Sequence, residues 1–231
     1  MPSLTKTLHY ISSALVTSIS VAVLGFAMST LWAKSTMECA RAGSEIFNGT
    51  AEVTLGLFEG ILTRSFCPSF GNTDGFQVIP VLTKTATTSL VLHVLVVCLL
   101  ALCLLCSAGS ILISLYNSVS NPYETYMGPV GVYVCSALSA CLSVVVLIIF
   151  VLNVTVTSMS EELFEAVGDN ISVDLKNKSA QMGVGFFLVI PYAVFSLVAI
   201  LLIFFYDHAA YTHRREQERP TEDAPKEIMM Y

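Results

Sequence analysis

Leu90 to Tyr116 reads LVLHVLVVCLLALCLLCSAGSILISLY, a run without Asp, Glu, Lys or Arg. About 20 such residues in a helix cross a hydrocarbon core of about 30 Å. The charge-free region extends over 85–123, and 125–160 and 179–206 are equally free of charged side chains. Lipid offers no hydrogen-bond partners, so each segment must satisfy its backbone internally, as a helix. With an apolar segment near the N-terminus, four spans are expected: about His9–Ala33, Leu90–Tyr116, Val130–Thr155 and Val184–Tyr206. The fold class is all-α membrane, a four-helix transmembrane bundle. It occupies 1–206, with loops at 34–89 and 156–183 and a polar tail at 207–231.

The composition agrees. Of 231 residues, 55% are hydrophobic and 12% charged, against about 25% charged in soluble domains. That deficit excludes a water-soluble globule and a disordered chain. A net charge of −6 leaves no basic surface for a phosphate backbone, so nucleic acid is not a partner. The first span, with Lys6 before it, is longer than the roughly 7–15 apolar residues of a signal peptide. Cleavage there would leave the sides of the later loops unchanged.

Orientation does not follow from basic residues. Lys6, Arg214, Arg215, Arg219 and Lys226 lie on the side of the termini, while Lys34, Arg41, Arg64, Lys84, Lys176 and Lys178 lie on the other. The N-x-S/T sequons are more informative. Asn48, Asn170 and Asn177 fall in the two larger loops, on one side of the membrane. That side is then the lumen and the cell exterior, both termini are cytoplasmic, and the destination is the plasma membrane. A fourth sequon, Asn153, ends a span and is read as accidental. Five of the seven cysteines lie in spans, as small apolar packers. Cys39 and Cys67 share the first large loop, either as a disulfide in an oxidising compartment or as two thiols.

Catalytic machinery is not visible. His9, His93, His208 and His213 lack the i, i+4 spacing that places two ligands on one helical face. There is no phosphate-binding loop, no metal-ligand cluster and no cofactor motif. His93 is expected at headgroup level, solvated or hydrogen-bonded. Span interiors without ionisable groups also disfavour transport, although Pro191 frees the carbonyl of Phe187 inside the fourth span. With no titratable group in the bilayer interior, no sharp functional switch is expected between about pH 6 and 8.

Small residues recur every four positions at Ala14, Ser18 and Ala22, and at Cys135, Ser139 and Ser143. They let helix backbones approach, within one chain or between copies. Beyond the membrane, Val53–Leu57 alternates like a strand and Phe76–Leu82 reads as another. Ser158-Met159-Ser160-Glu161 has capping-box spacing ahead of Leu163, Phe164 and Val167, which predicts a short helix. A small folded cap with a short β-sheet is therefore expected. The end, Met229-Met230-Tyr231, has the spacing of a weak PDZ-type ligand, in which Met229 and Tyr231 would add to a sheet edge.

These features resemble the clarins, small four-span glycoproteins of the claudin and peripheral-myelin-protein superfamily. The resemblance rests on Trp32 at the end of span one, Cys39 followed by Asn48-Gly49-Thr50, and Gly56-Leu57-Phe58-Glu59-Gly60. It continues through Asn121-Pro122-Tyr123, Gly128-Pro129-Val130-Gly131-Val132-Tyr133 and Ser160-Glu161-Glu162-Leu163-Phe164. Cys67, followed by Pro68-Ser69-Phe70, departs from the glycine-rich stretch that follows a paired loop cysteine in clarins, and claudin-like strand polymerisation is not carried over. The resemblance implies a non-enzymatic membrane organiser, a scaffold or adhesion-type protein of sensory-cell or actin-linked membrane specialisations. The partners expected from the spans, the small-residue stripes and the C-terminal residues are membrane lipids, neighbouring membrane proteins, further copies of the chain and a cytoplasmic PDZ-type adaptor. The alternative is a channel or a channel's accessory subunit.

Overall fold

The computed structural model describes residues 4–41, 49–66, 73–84, 87–119, 128–167 and 173–217. Four of its helices are long and apolar enough to cross a membrane: α1 (Leu4–Ser29), α3 (Thr87–Val119), α4 (Gly128–Thr155) and α6 (Val184–Gln217). Helix α1 packs on α6 and α3, and α4 packs on α3 and α6, which closes the bundle. Each helix buries one seam at alternating spacings of three and four. In α3 it runs Ser89, His93, Val96, Leu100, Cys103, Ser107, Ser110, Ser114, Asn117; in α4, Val132, Ser136, Ser139, Ser143, Val146, Phe150, Asn153. A mean spacing of 3.5 is the seam of helices packed nearly parallel or antiparallel, as in coiled coils and four-helix bundles.

The seam is layered. Leu24, Val96, Leu100, Val146, Phe150 and Val189 form an apolar half next to the cap. The middle is lined by serine and threonine: Ser13, Thr17 and Ser20 on α1, Ser107 and Ser110 on α3, Ser136, Ser139 and Ser143 on α4, and Ser196 on α6. Several of these hydroxyls bond across helices. Tyr192 Oη donates to the Cys103 carbonyl (3.0 Å) and lies 2.8 Å from Ser107 Oγ. Ser110 and Ser136 meet at 3.1 Å, and Ser13 Oγ donates to the Ala199 carbonyl at 3.4 Å. Of the small-residue stripe on α1, Ala14 is buried in the seam, while Ser18 and Ala22 face outward and take no part in packing within the chain. A period of four drifts off a seam whose period is 3.5.

The cap is a five-stranded antiparallel sheet in the order β4-β3-β2-β1-β5, made of β1 (Ala33–Arg41), β2 (Gly49–Leu55), β3 (Glu59–Ser65), β4 (Thr73–Gln77) and β5 (Val173–Met182). Burial alternates strictly along β3, and β2 buries every second residue. Ala33, Met37, Val53, Leu55 and Leu62 face inward onto α2 (Val78–Leu82) and α5 (Met159–Val167). Thr50, Thr54, Ile61, Thr63 and Thr73 point the other way. The inner face also takes Arg64, 6% exposed and ion-paired with Asp74 on β4. Ser35 Oγ meets Ser160 Oγ at 2.7 Å, and Lys178 pairs with Glu161, which fixes α5 beneath the sheet.

Two expectations about the ends of elements change. The first helix stops at Ser29, not Ala33, and Ala33 already belongs to β1. The strand expected over Phe76–Leu82 ends at Gln77, and Val78–Leu82 is a helical turn. Val78 and Leu82, four residues apart, are both buried on one side of that turn. Pro80 is tolerated because the first turn of a helix leaves its N–H groups unbonded. The helix expected after span three is present, but Ser158 (φ +54°) separates it from α4.

Candidate functional site

Cap and bundle meet around Trp32, the single tryptophan, which is completely buried. Its indole Nε1 donates to the Ala27 carbonyl at 2.8 Å, and its ring meets Phe150 edge-on at 5.0 Å. Its backbone serves two partners: the amide donates to the Leu55 carbonyl (2.7 Å), and the carbonyl accepts from Gly183 (2.8 Å). Gly185 donates to the Leu31 carbonyl at 2.8 Å. A Cβ at Gly183 would lie 2.4 Å from the Leu31 carbonyl oxygen, and one at Gly185 would lie 2.6 Å from the indole ring. One side chain and two glycines thus hold α1, the β2 end and the start of α6 together. Sequence reasoning singled out Trp32 but missed Gly183 and Gly185, which become meaningful only once their neighbour is known.

The Gly56-Leu57-Phe58 motif forms the turn between β2 and β3. Gly56 donates to the Glu59 carbonyl at 2.9 Å, and the same oxygen would stand 2.9 Å from a Cβ at Gly56. Leu57 is buried, and its carbonyl lies 2.8 Å from His93 Nε2 on α3. The Phe58 carbonyl accepts from Val78 N (2.9 Å), while its ring stays 47% exposed. Of the two states expected for His93, solvated or hydrogen-bonded, the second holds: it is fully buried and hydrogen-bonds the motif turn. Between this turn, β4 and the end of α1 opens a groove of about 760 Å³.

The other predicted residues are scattered. Asn177 is exposed on the outermost strand at φ +51°, and its Nδ2 donates to Glu38 at 2.7 Å. Asn177 and Lys178 together oppose Met37, a β-bulge with asparagine in the left-handed region. Cys39 is buried and disulfide-bonded. Cys67, Asn48, Asn170, Asn121, Pro122, Tyr123, Met229 and Tyr231 lie outside the described residues. Gly128 opens α4 at φ +47° with space around it, so backbone conformation and not crowding calls for glycine there. Pro129 follows in the first turn and Gly131 is buried. Asn153 is buried too, with its amide on the Ser89 carbonyl (3.3 Å) and its oxygen taking the Thr157 hydroxyl (2.7 Å).

Among the described residues no three His, Cys, Asp or Glu side chains converge on a metal-sized site. The convergent groups are instead packing groups and backbone hydrogen bonds, which lock a sheet onto a membrane bundle.

A family model described as Clarin-2-like matches residues 4–203. The chain is 32% identical to mouse (Mus musculus) Clarin-3 and 31% identical to human (Homo sapiens) Clarin-3, in each case over 100% of both chains. It is 29% identical to human Clarin-1 over 58% of this chain and 59% of that one. The match spans all four membrane helices and the sheet locked onto them through Trp32, and the chain belongs to the clarin family.

Proposed function

We propose that this multi-pass membrane protein is a non-enzymatic organiser of the plasma membrane, a scaffold or adhesion-type protein working by lateral and extracellular contact. The sheet faces the cell exterior, with sugar on Asn48, Asn170 and Asn177, and both termini are cytoplasmic. By its resemblance to clarins the setting is a sensory-cell or actin-linked membrane specialisation. One observation carries the reading: the polar groups of the bundle middle are already used, Ser107 with Tyr192 and Ser110 with Ser136 across helices, and Thr17, Ser20, Ser139, Ser143 and Ser196 on carbonyls of their own helix. Groups used in this way hold helices together and do not line a path for a solute, which also weighs against the channel alternative. What is left to offer partners is surface: an apolar belt around the helices and a threonine-rich sheet face.

Glycosidase mapping of Asn→Gln variants in intact cells tests the orientation, and proximity labelling tests the role. Sugar on at least one loop sequon and a reproducible set of neighbouring membrane proteins are expected. Deleting Met229–Tyr231 should remove cytoplasmic adaptors from that set. Unglycosylated loops would overturn the orientation; selective ion or solute flux through liposomes carrying the purified chain would overturn the scaffold reading.

A further inference from the structure

The groove beside the Gly56-Leu57-Phe58 turn has a depth, a wall chemistry and a charge that together specify an occupant. Its depth is set by His93. That residue lies five positions inside the span that begins at Thr88, about 8 Å along the helix axis at 1.5 Å per residue. Because Leu57 is bonded to His93, the turn is held against the cap-side end of the membrane helices. The lining is mostly apolar, with Met28, Leu31, Phe58, Ile61 and Phe76, and Thr54 and Gln77 add polar groups. Phe26 on the flank of α1 and Leu31 just beyond its end are also exposed, so the groove is continuous with the surface the bundle presents to lipid. Gly75 stands opposite Ile61, and a Cβ there would meet nothing within 4 Å. Among the described residues that line the groove, Glu59 alone is charged; a carboxylate there disfavours an anionic headgroup and favours a cationic one.

We propose that this groove binds one acyl chain of a zwitterionic, choline-type phospholipid from the leaflet on the cap side, with the cationic headgroup beside Glu59. The occupant reaches the groove along the lipid-facing flank of α1 without crossing water. The groove volume falls within the roughly 300–1,000 Å³ of small-molecule sites. Transfer from bilayer to helix flank gains little, because both are equally apolar. The groove differs: its upper walls face water when it is empty, and an inserted chain dries them. Drying one methylene's worth of wall is worth about fourfold in an equilibrium constant.

The test uses the full chain in phosphatidylcholine nanodiscs with a trace of phosphatidylcholine carrying a diazirine on one acyl chain. After photolysis and digestion, peptides containing 28–31, 58–61 and 75–77 should be labelled at least about fourfold more than the lipid-facing residues of α4. Gly75→Trp fills the open space and should bring groove labelling down to the α4 level, with α4 labelling and the melting temperature unchanged. Ile61→Trp serves the same purpose if the first variant does not fold. Glu59→Lys should shift labelling from a phosphatidylcholine probe to a phosphatidylserine probe. Groove labelling no higher than that of α4, labelling insensitive to a folded Trp variant, or cross-links from the groove to a second copy would each overturn the proposal.

Discussion

The cap and the middle of the bundle bury opposite kinds of side chain. In the sheet, Val53, Leu55 and Leu62 are inside while Thr50, Thr54 and Thr63 are outside. In the bundle, Ser110, Ser136, Ser139 and Ser143 are inside while Leu105, Leu112, Val144 and Ile148 are outside. The difference lies in the solvent. Removing apolar surface from water gains about 25 cal/mol per Å², so the cap hides its aliphatic side chains. Between helices in lipid that gain vanishes, so close approach and interhelical hydrogen bonds decide. Serine serves both: it is small enough for backbones to approach, and its hydroxyl finds a partner on the next helix or one turn back.

The contrast can be broken or sharpened at defined positions. The largest effect is expected at Trp32, which belongs to both regions. Trp32→Ala should cost about 3–5 kcal/mol and loosen cap and bundle together, read as a lower Tm by fluorescence-detected size exclusion in detergent. A variant that melts like the parent would show that the two regions are joined elsewhere. Next comes Leu62→Ala, inside the sheet, at about 2–4 kcal/mol. Hydrogen exchange should speed up at β2 and β3 while the middle of α3 and α4 stays protected. Faster exchange spreading evenly through the bundle would mean that the cap is not a separate cooperative layer.

In the bundle the sign reverses, because adding apolar volume should hurt. Ser139→Leu is expected to cost about 1–3 kcal/mol through overpacking of the seam, measured by denaturation in mixed bicelles. An unchanged or raised stability would refute the seam as a close-packed contact. The smallest effect belongs to the Ser110–Ser136 pair. A double-alanine cycle there should return a coupling of about 0.6 kcal/mol, the average for hydrogen bonds between membrane helices. A coupling near zero would leave steric fit alone as the reason for serine.

Legibility in the sequence followed the strength of the physical constraint. Charge-free runs such as 125–160 have one stable form in lipid, so the four helices could be read directly. Val53 to Leu57 alternated, yet the strand ends at Leu55 and Gly56 and Leu57 enter the turn; Phe76 to Leu82 read as a strand, yet from Val78 on it is a helical turn. Short apolar runs do not distinguish the two, and the burial of Val78 and Leu82 on one side of the turn arbitrates. The Gly56-Leu57-Phe58 triplet was visible as a motif, but its bond to His93 joins residues 36 apart in sequence. Gly183 and Gly185 gave no signal, because a glycine required by a neighbour's bulk looks like any other glycine until the neighbour is placed.

By itself, then, the chain determined that it enters the membrane, how many times it crosses and which clarin features it carries, since hydropathy and motif order are local properties read residue by residue. Which face of each helix turns inward was settled only in three dimensions. Leucine and serine are both compatible with a lipid-embedded helix, and the choice between them depends on what stands opposite. The same holds at the junction, where Trp32, two glycines and His93 gain their roles from contacts between segments far apart in the chain.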